Sequence, residues 1–204
     1  MSNRNRSLYI AKFDEINAIA KTMYTDYVSG KKDEKQIEEE FEDFLLYAYS
    51  VGFEIGAEDI GLDSETQAIY RQAANANTSK VKEAMYRRFE NRTDTDRLRD
   101  HLENDDGESS VERVLTTSWH RMANEGINGF GELYGSNLLT KTWKSMKDDK
   151  VRDTHDYLDG MTVGFDEDFY TYNGDHAKYP GLFGVPEEDV NCRCLVHLNL
   201  RQQA

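Results

Sequence analysis

Residues 138–165, LLTKTWKSMKDDKVRDTHDYLDGMTVGF, change the texture of the chain and decide its fold class. Leu138 to Met146 sets Trp143 among the β-branched Thr140 and Thr142, a composition that favours a pleated, half-buried strand. Asp148 or Asp149 is then a candidate cap for a short helix carrying Val151, Arg152, His155 and Leu158, which Gly160 stops. Met161–Phe165 reads as a second short strand and Cys194–Leu198 as the last one. A long ordered loop is expected between them, from Asp166 to Asn191. Tyr179-Pro180-Gly181 and Gly184-Val185-Pro186 fix its turns, and Phe169 and Phe183 anchor it. Nine of the fourteen glycines, both prolines and both cysteines lie from Gly126 onward, as a compact, turn-rich α+β module requires.

Upstream the chain reads helical. Phe13, Ile16, Ile19, Ala20, Met23 and Tyr27 form one apolar stripe that ends at Gly30. A second helix runs from Glu34 to about Gly56 on Ile37, Phe41, Phe44, Leu45, Ala48, Val51 and Ile55. Asp63 caps a third, through Ile69, Ala73, Ala76, Val81, Met85 and Phe89. Residues 91–107 are charge-rich without a long apolar stripe, so a loop with one helical turn is expected. Ser109 and Glu112 match a capping box that opens a fourth helix on Val111, Leu115, Met122 and Ala123, fading at Gly126. The division is therefore a helical region over 1–126 and an α+β domain over 127–204, an α+β chain overall.

Bulk composition narrows the function. The 204 residues carry a net charge of −14, which repels phosphate backbones and argues against broad nucleic-acid binding. Lys80, Lys82, Arg87 and Arg88 form a local basic strip that reads as a solvated helix surface. Residues 1–10 are polar, so no secretory signal is expected, and no apolar run is long enough for a membrane span.

The sharpest chemical feature is Cys192-Arg193-Cys194. On a strand, residues two apart face one side, so two thiolates can reach one zinc ion. His155, His176 and His197 are the candidate further ligands, with Asp153 or Asp189 behind them, and His155 ranks first because His197 points away on a regular strand. Two small buried thiols in the core are the alternative. Arg152 and His155, three apart, share a helix side and read as polar bracing. A nuclease-like set from His120, Glu125, Arg152 and His155 has no motif behind it, and Glu187-Glu188 reads as a solvated surface pair. There is no phosphate-binding glycine loop, nucleophile elbow or HExxH.

Lys141-Thr142-Trp143, Asp149, Val151-Arg152, His155, Gly160, Phe169, Tyr179-Pro180-Gly181 and Asn191-Cys192-Arg193-Cys194 follow one another in an order that resembles the phage head morphogenesis family. Its members are the Mu F-like or SPP1 gene-7-like minor head proteins. The resemblance covers about residues 110–198 and rests on Trp143, Arg152, His155, Gly160, Pro180, Asn191 and Arg193 with the two cysteines. It implies a minor capsid protein of the virion, inside the head and near the portal, and in the host cytoplasm during assembly. Its implied partners are the portal protein and scaffold or major capsid protein. Family relatives also occur fused to toxin domains with nuclease-like or ADP-ribosyl-transfer chemistry. Three functions follow: a non-enzymatic head assembly protein, an enzyme using His155 and Arg152, and a small zinc-stabilised interaction module with candidate ligands Cys192, Cys194 and His155.

Overall fold

The computed structural model describes residues 3–76 and 78–202. The side chains of 3–14, 71, 73–76 and 78 fall outside that description, and with them the inward positions expected for Phe13, Ala73 and Ala76. A helix-rich N-terminal region is followed by a mixed α+β region with short strands. The helices are α1 (Asn3–Val28), α2 (Glu34–Asp59), α3 (Ser64–Ala76), α4 (Thr78–Met85), α5 (Asp94–Glu103) and α6 (Glu108–Tyr134). Then come β1 (Leu139–Lys144), α7 (Asp153–Leu158), β2 (Thr162–Gly164), β3 (Phe169–Tyr170), β4 (His176–Ala177), α8 (Pro186–Asp189) and β5 (Leu195–Leu200). Among the described residues no helix is long and apolar enough to cross a membrane.

The first two helices follow their apolar stripes: Ile16, Ala20 and Met23 of α1 are buried, as are Ile37, Phe41, Phe44, Leu45 and Ala48 of α2. Asp33 and Gln36 close a reciprocal capping box at the start of α2. Asp63 accepts the Thr66 N–H at 2.8 Å, capping α3 as its sequence implies. The expected third helix is described as α3 and α4 on either side of residue 77, which lies outside the described residues, and Ile69, expected inward, is exposed. Phe89 lies beyond α4, bridged to Arg92.

Three boundaries differ from the sequence expectation. Residues 94–103 form a full helix rather than one turn. Thr93 and Asp96 cap it reciprocally, and Leu98 and Leu102 are buried beneath its charged face. Helix α6 is capped by Gly107 at φ +87°, with no side-chain hydrogen bond, so Ser109 lies in its first turn and makes no capping box. The same helix does not fade at Gly126 but continues to Tyr134. Its glycines serve packing: a Cβ on Gly126 would stand 2.0 Å from the Tyr49 carbonyl oxygen, and one on Gly52 would stand 1.8 Å from that of Ala123. Glycine costs a helix interior about 1 kcal/mol relative to alanine. Here it lets α2 and α6 meet backbone to backbone, and that contact overrides the local preference.

The sheet has the order β2-β1-β5, all antiparallel, with Lys141 opposite Val163 on one side and Trp143 opposite Val196 on the other. The segment expected as a long loop holds a two-stranded ribbon, β3 with β4, and the single-turn α8. One apolar core runs from Ile16 through Trp119 and Phe130 to Trp143 and Leu198. Asn124 of α6, fully buried, fastens the sheet to the helices. Its amide donates to the Cys194 carbonyl at 3.0 Å and its carbonyl accepts the Val196 N–H at 2.9 Å.

Candidate metal centre

His155, Cys192 and Cys194 converge, all three buried, with their ligand atoms within 4.8 Å of one another. Each sulfur lies 3.6 Å from His155 Nδ1. Zinc with Zn–S near 2.3 Å and Zn–N near 2.1 Å in a tetrahedron spaces sulfur and nitrogen about 3.6 Å apart. The donor set fits that ion, and these three side chains would hold it, tying α7 to the chain entering β5.

The cysteines reach this geometry by a route other than a regular strand. Both precede β5, which begins at Leu195. Asn191 takes a left-handed φ of +58°, a conformation asparagine tolerates better than most residues. Its N–H donates to Thr117 Oγ1 at 3.0 Å, pinning the turn to α6. Neither thiol is in a disulfide. The two titrate together: a hydrogen bond from Cys194, then His155, holds the Cys192 thiol well below its usual range. Cys194, donating and buried, is pushed up. The pocket therefore favours a thiolate at Cys192, the form a metal binds.

His155 is held on every side. Trp143 meets it edge-on at 5.2 Å and Phe183 stacks on it at 5.6 Å and 17°. Phe169 packs edge-on against Trp143 at 5.3 Å, so both anchoring phenylalanines act on this centre. Helix α7 begins at Asp153, with Arg152 as its N-cap, later than a start at Asp148 or Asp149 would give. Asp148 instead accepts the Lys150 N–H and pairs with Arg193 at 2.7 Å. The Arg152 guanidinium donates to the Val190 carbonyl, bracing the turn that leads into the cysteines. Gly160 ends α7 at φ +83° and its N–H donates to the Trp143 carbonyl at 2.9 Å. Pro180 is buried beside Tyr179, whose hydroxyl bonds Glu125 of α6.

Glu188 was expected on the surface with Glu187, but only Glu187 is exposed. Glu188 is 4 % exposed, accepts the Thr154 hydroxyl at 2.8 Å and lies 3.0 Å from His155 Nε2. Asp189 forms the bend that delivers it, accepting the N–H groups of Phe183 at 3.0 Å and Gly184 at 2.7 Å. Burial pushes the Asp189 carboxyl up to about 6 despite those two bonds. The other histidine candidates are engaged elsewhere: His176 pairs with Asp168 at 2.8 Å, and His197 with Asp59 of α2 at 2.6 Å. Asp153 is exposed on α7. Of the nuclease-like set, Glu125 receives Arg87 at 2.9 Å, and burial pushes the His120 imidazole down to about 3. The basic strip is partly neutralised, Lys80 pairing with Glu132 at 2.6 Å and Arg87 with Glu125.

Residues 111–197 match the family described as Phage Mu protein F like protein. A stretch of 79 residues is 32% identical to the Minor head protein GP7 of Bacillus phage SPP1, covering 38% of this chain and 26% of that protein. Another, of 56 residues, is 50% identical to the NAD(+)--arginine ADP-ribosyltransferase EFV of Enterococcus faecalis (strain ATCC 700802 / V583), covering 28% of this chain and 11% of that one. The chain thus spans a small part of either relative's length. No solved structure matches it. Over residues 111–197, the segment that contains His155, Glu188 and both cysteines, this chain shares partial-chain homology with the Phage Mu protein F like proteins, and part of it is similar to a phage minor head protein.

Proposed function

We propose that this chain is a minor head component of a tailed phage that works by docking, at the portal and in the head interior, to support head assembly or DNA delivery. The observation that carries the reading is the family match over residues 111–197, beside the 32% identity over 79 residues to a protein named as a minor head protein. The net charge of −14 supports it, because an acidic chain docks on basic protein surfaces while avoiding packaged DNA. Portal protein is the first partner, with scaffold or major capsid protein next, in the virion and, during assembly, the host cytoplasm. We read the chain as non-enzymatic: His155 is enclosed among Trp143, Phe183 and two thiols, and Arg152 holds a backbone carbonyl. When bound, zinc would supply a crosslink that stiffens this module. The test is co-purification of the full chain with a portal ring at moderate salt. Retention in a defined ratio is expected, and complete absence of association overturns the reading.

A further inference from the structure

The β3–β4 ribbon has two unlike faces. Its inner face carries Phe169, Thr171 and Ala177, all buried, with Phe169 packed on Trp143 beside the metal centre. Its outer face carries Tyr170, Tyr172 and His176, which are exposed among the described residues: Tyr170 and Tyr172 are each 57% exposed. Tyr157 of α7, 53% exposed, joins them edge-on to Tyr172 at 5.6 Å, and Tyr170 stacks on His176 at 5.1 Å. Two exposed aromatic pairs, Tyr157 with Tyr172 and Tyr170 with His176, are thus carried on and beside a ribbon fixed from below. Exposed single apolar residues are ordinary, but grouped tyrosines on a rigid element are the composition of a binding surface.

The charge around them is one-sided. Residues 153–177 contain no lysine or arginine. Asp153, Asp156, Asp159, Asp166, Glu167, Asp168 and Asp175 lie in the same span, and of these Asp159 and Asp168 have ion-pair partners among the described residues, Lys147 and His176. Lys178 is half-buried, and Lys141 is buried against the inner phenylalanines, over the Phe165 and Phe169 rings, where the charges of Asp166, Glu167 and Asp168 reach it.

We propose that this face docks an arginine-rich segment of a partner protein. A planar guanidinium stacks on a tyrosine ring and pairs with a carboxylate at once, which an ammonium does less well and a phosphate not at all. The partner's identity rests on the assembly role proposed above, whereas the surface and its chemistry do not.

Octa-arginine and octa-lysine peptides are the probes, titrated against the full chain by calorimetry at physiological salt. Octa-arginine is expected to bind more tightly. The triple variant Tyr157→Ser/Tyr170→Ser/Tyr172→Ser, which leaves every charge in place, is expected to lose roughly tenfold in affinity and the arginine preference with it. The control variant Glu39→Gln/Asp43→Asn, on the exposed face of α2, removes two charges elsewhere and is expected to bind as the native chain does. Equal binding by the triple variant, or equal weakening by the control, overturns the proposal. Amide shifts of the native chain on adding octa-arginine give a readout independent of any variant's folding: shifts confined to residues 153–177 support the surface, and shifts spread over the helices overturn it. A portal ring that ignores the native chain while octa-arginine still binds this face defeats the assembly role and leaves the surface standing. A portal ring that retains the native chain, while octa-arginine binds the native chain and the triple variant equally, defeats the surface and leaves the assembly role.

Discussion

The Glu188 carboxylate lies 3.0 Å from Nε2 of His155, while Nδ1 of the same ring faces two sulfurs at 3.6 Å. A carboxylate this close to Nε2, although not aligned for a hydrogen bond, favours a proton there by its charge and so leaves the Nδ1 lone pair to a metal. Thr154, one residue before His155, holds the carboxylate at 2.8 Å. The pair therefore orients the one nitrogen ligand of the centre. Glu188→Gln, which keeps the shape and removes the charge, is expected to weaken zinc binding about 10- to 100-fold. Competition with a chromogenic chelator measures it, and nitrogen shifts of His155 report whether Nε2 still carries the proton. An unchanged affinity would reduce Glu188 to packing.

Zinc bound at this site would couple to stability, because the candidate ligands come from α7 and from the chain entering β5 and are brought together only by folding. The purified chain is expected to contain zinc by elemental analysis, and Cys192→Ser is expected to lose it. At zinc about a thousandfold above its dissociation constant, chelation should lower the melting midpoint by roughly 10 °C. The Cys192→Ser variant should show no such drop, and a midpoint indifferent to chelator in the native chain refutes a structural ion.

The parts of this centre that were legible in sequence are those with local signals. Trp143 among threonines announces a strand, Gly160 a stop, and the cysteine spacing a shared ligand pair. Glu188 was hidden because it follows Glu187, and two adjacent glutamates after a proline look solvated. In the single turn of α8 neighbouring residues point in different directions, and only the docking of that turn on α7 selects which of them is buried. Gly126 misled for a related reason. A glycine's local preference ends helices, but the approach of α2, invisible along the chain, makes it a contact point within one. Helix α5 was hidden by its charge, its two inward leucines being too few to form a stripe.

The α2–α6 crossing gives a stability test. Gly126→Ala places a methyl where the Tyr49 carbonyl oxygen would be 2.0 Å away, which backbone cannot yield without parting the helices. Overpacking of this kind costs about 1–3 kcal/mol or more, well beyond the gain of about 1 kcal/mol in helix propensity. Ser109→Ala in the first turn of α6, exposed and outside any cap, is expected to fall within about 0.5 kcal/mol of the native chain. Urea unfolding of the two variants separates the outcomes. A stabilised Gly126→Ala variant would mean the helices do not meet this closely.

Acid sensitivity is expected to concentrate at Asp94 and Arg121, a pair that is buried at both ends, 2.8 Å apart, and joins α5 to α6. Burial alone would push the Asp94 carboxyl up, but the charge and hydrogen bonds of Arg121, helped by Ser118 and Arg97, outweigh it and hold the group below its ordinary 3.8. A carboxylate depressed in the folded state contributes fully above its ordinary value. It loses that contribution as pH falls below about 3.8 and through the lower folded value. Asp94→Asn should therefore cost stability near neutral pH and flatten the loss below pH 4. Removing one partner of a buried pair costs about 3–5 kcal/mol, because Arg121 is left charged and unpaired apart from its bond to the Ala84 carbonyl. The double variant Asp94→Leu/Arg121→Met should recover most of that cost, since no charge remains to be buried. Unfolding curves of the three chains between pH 3 and 7 decide it. An acid slope that survives in Asp94→Asn would place the sensitivity in other carboxylates.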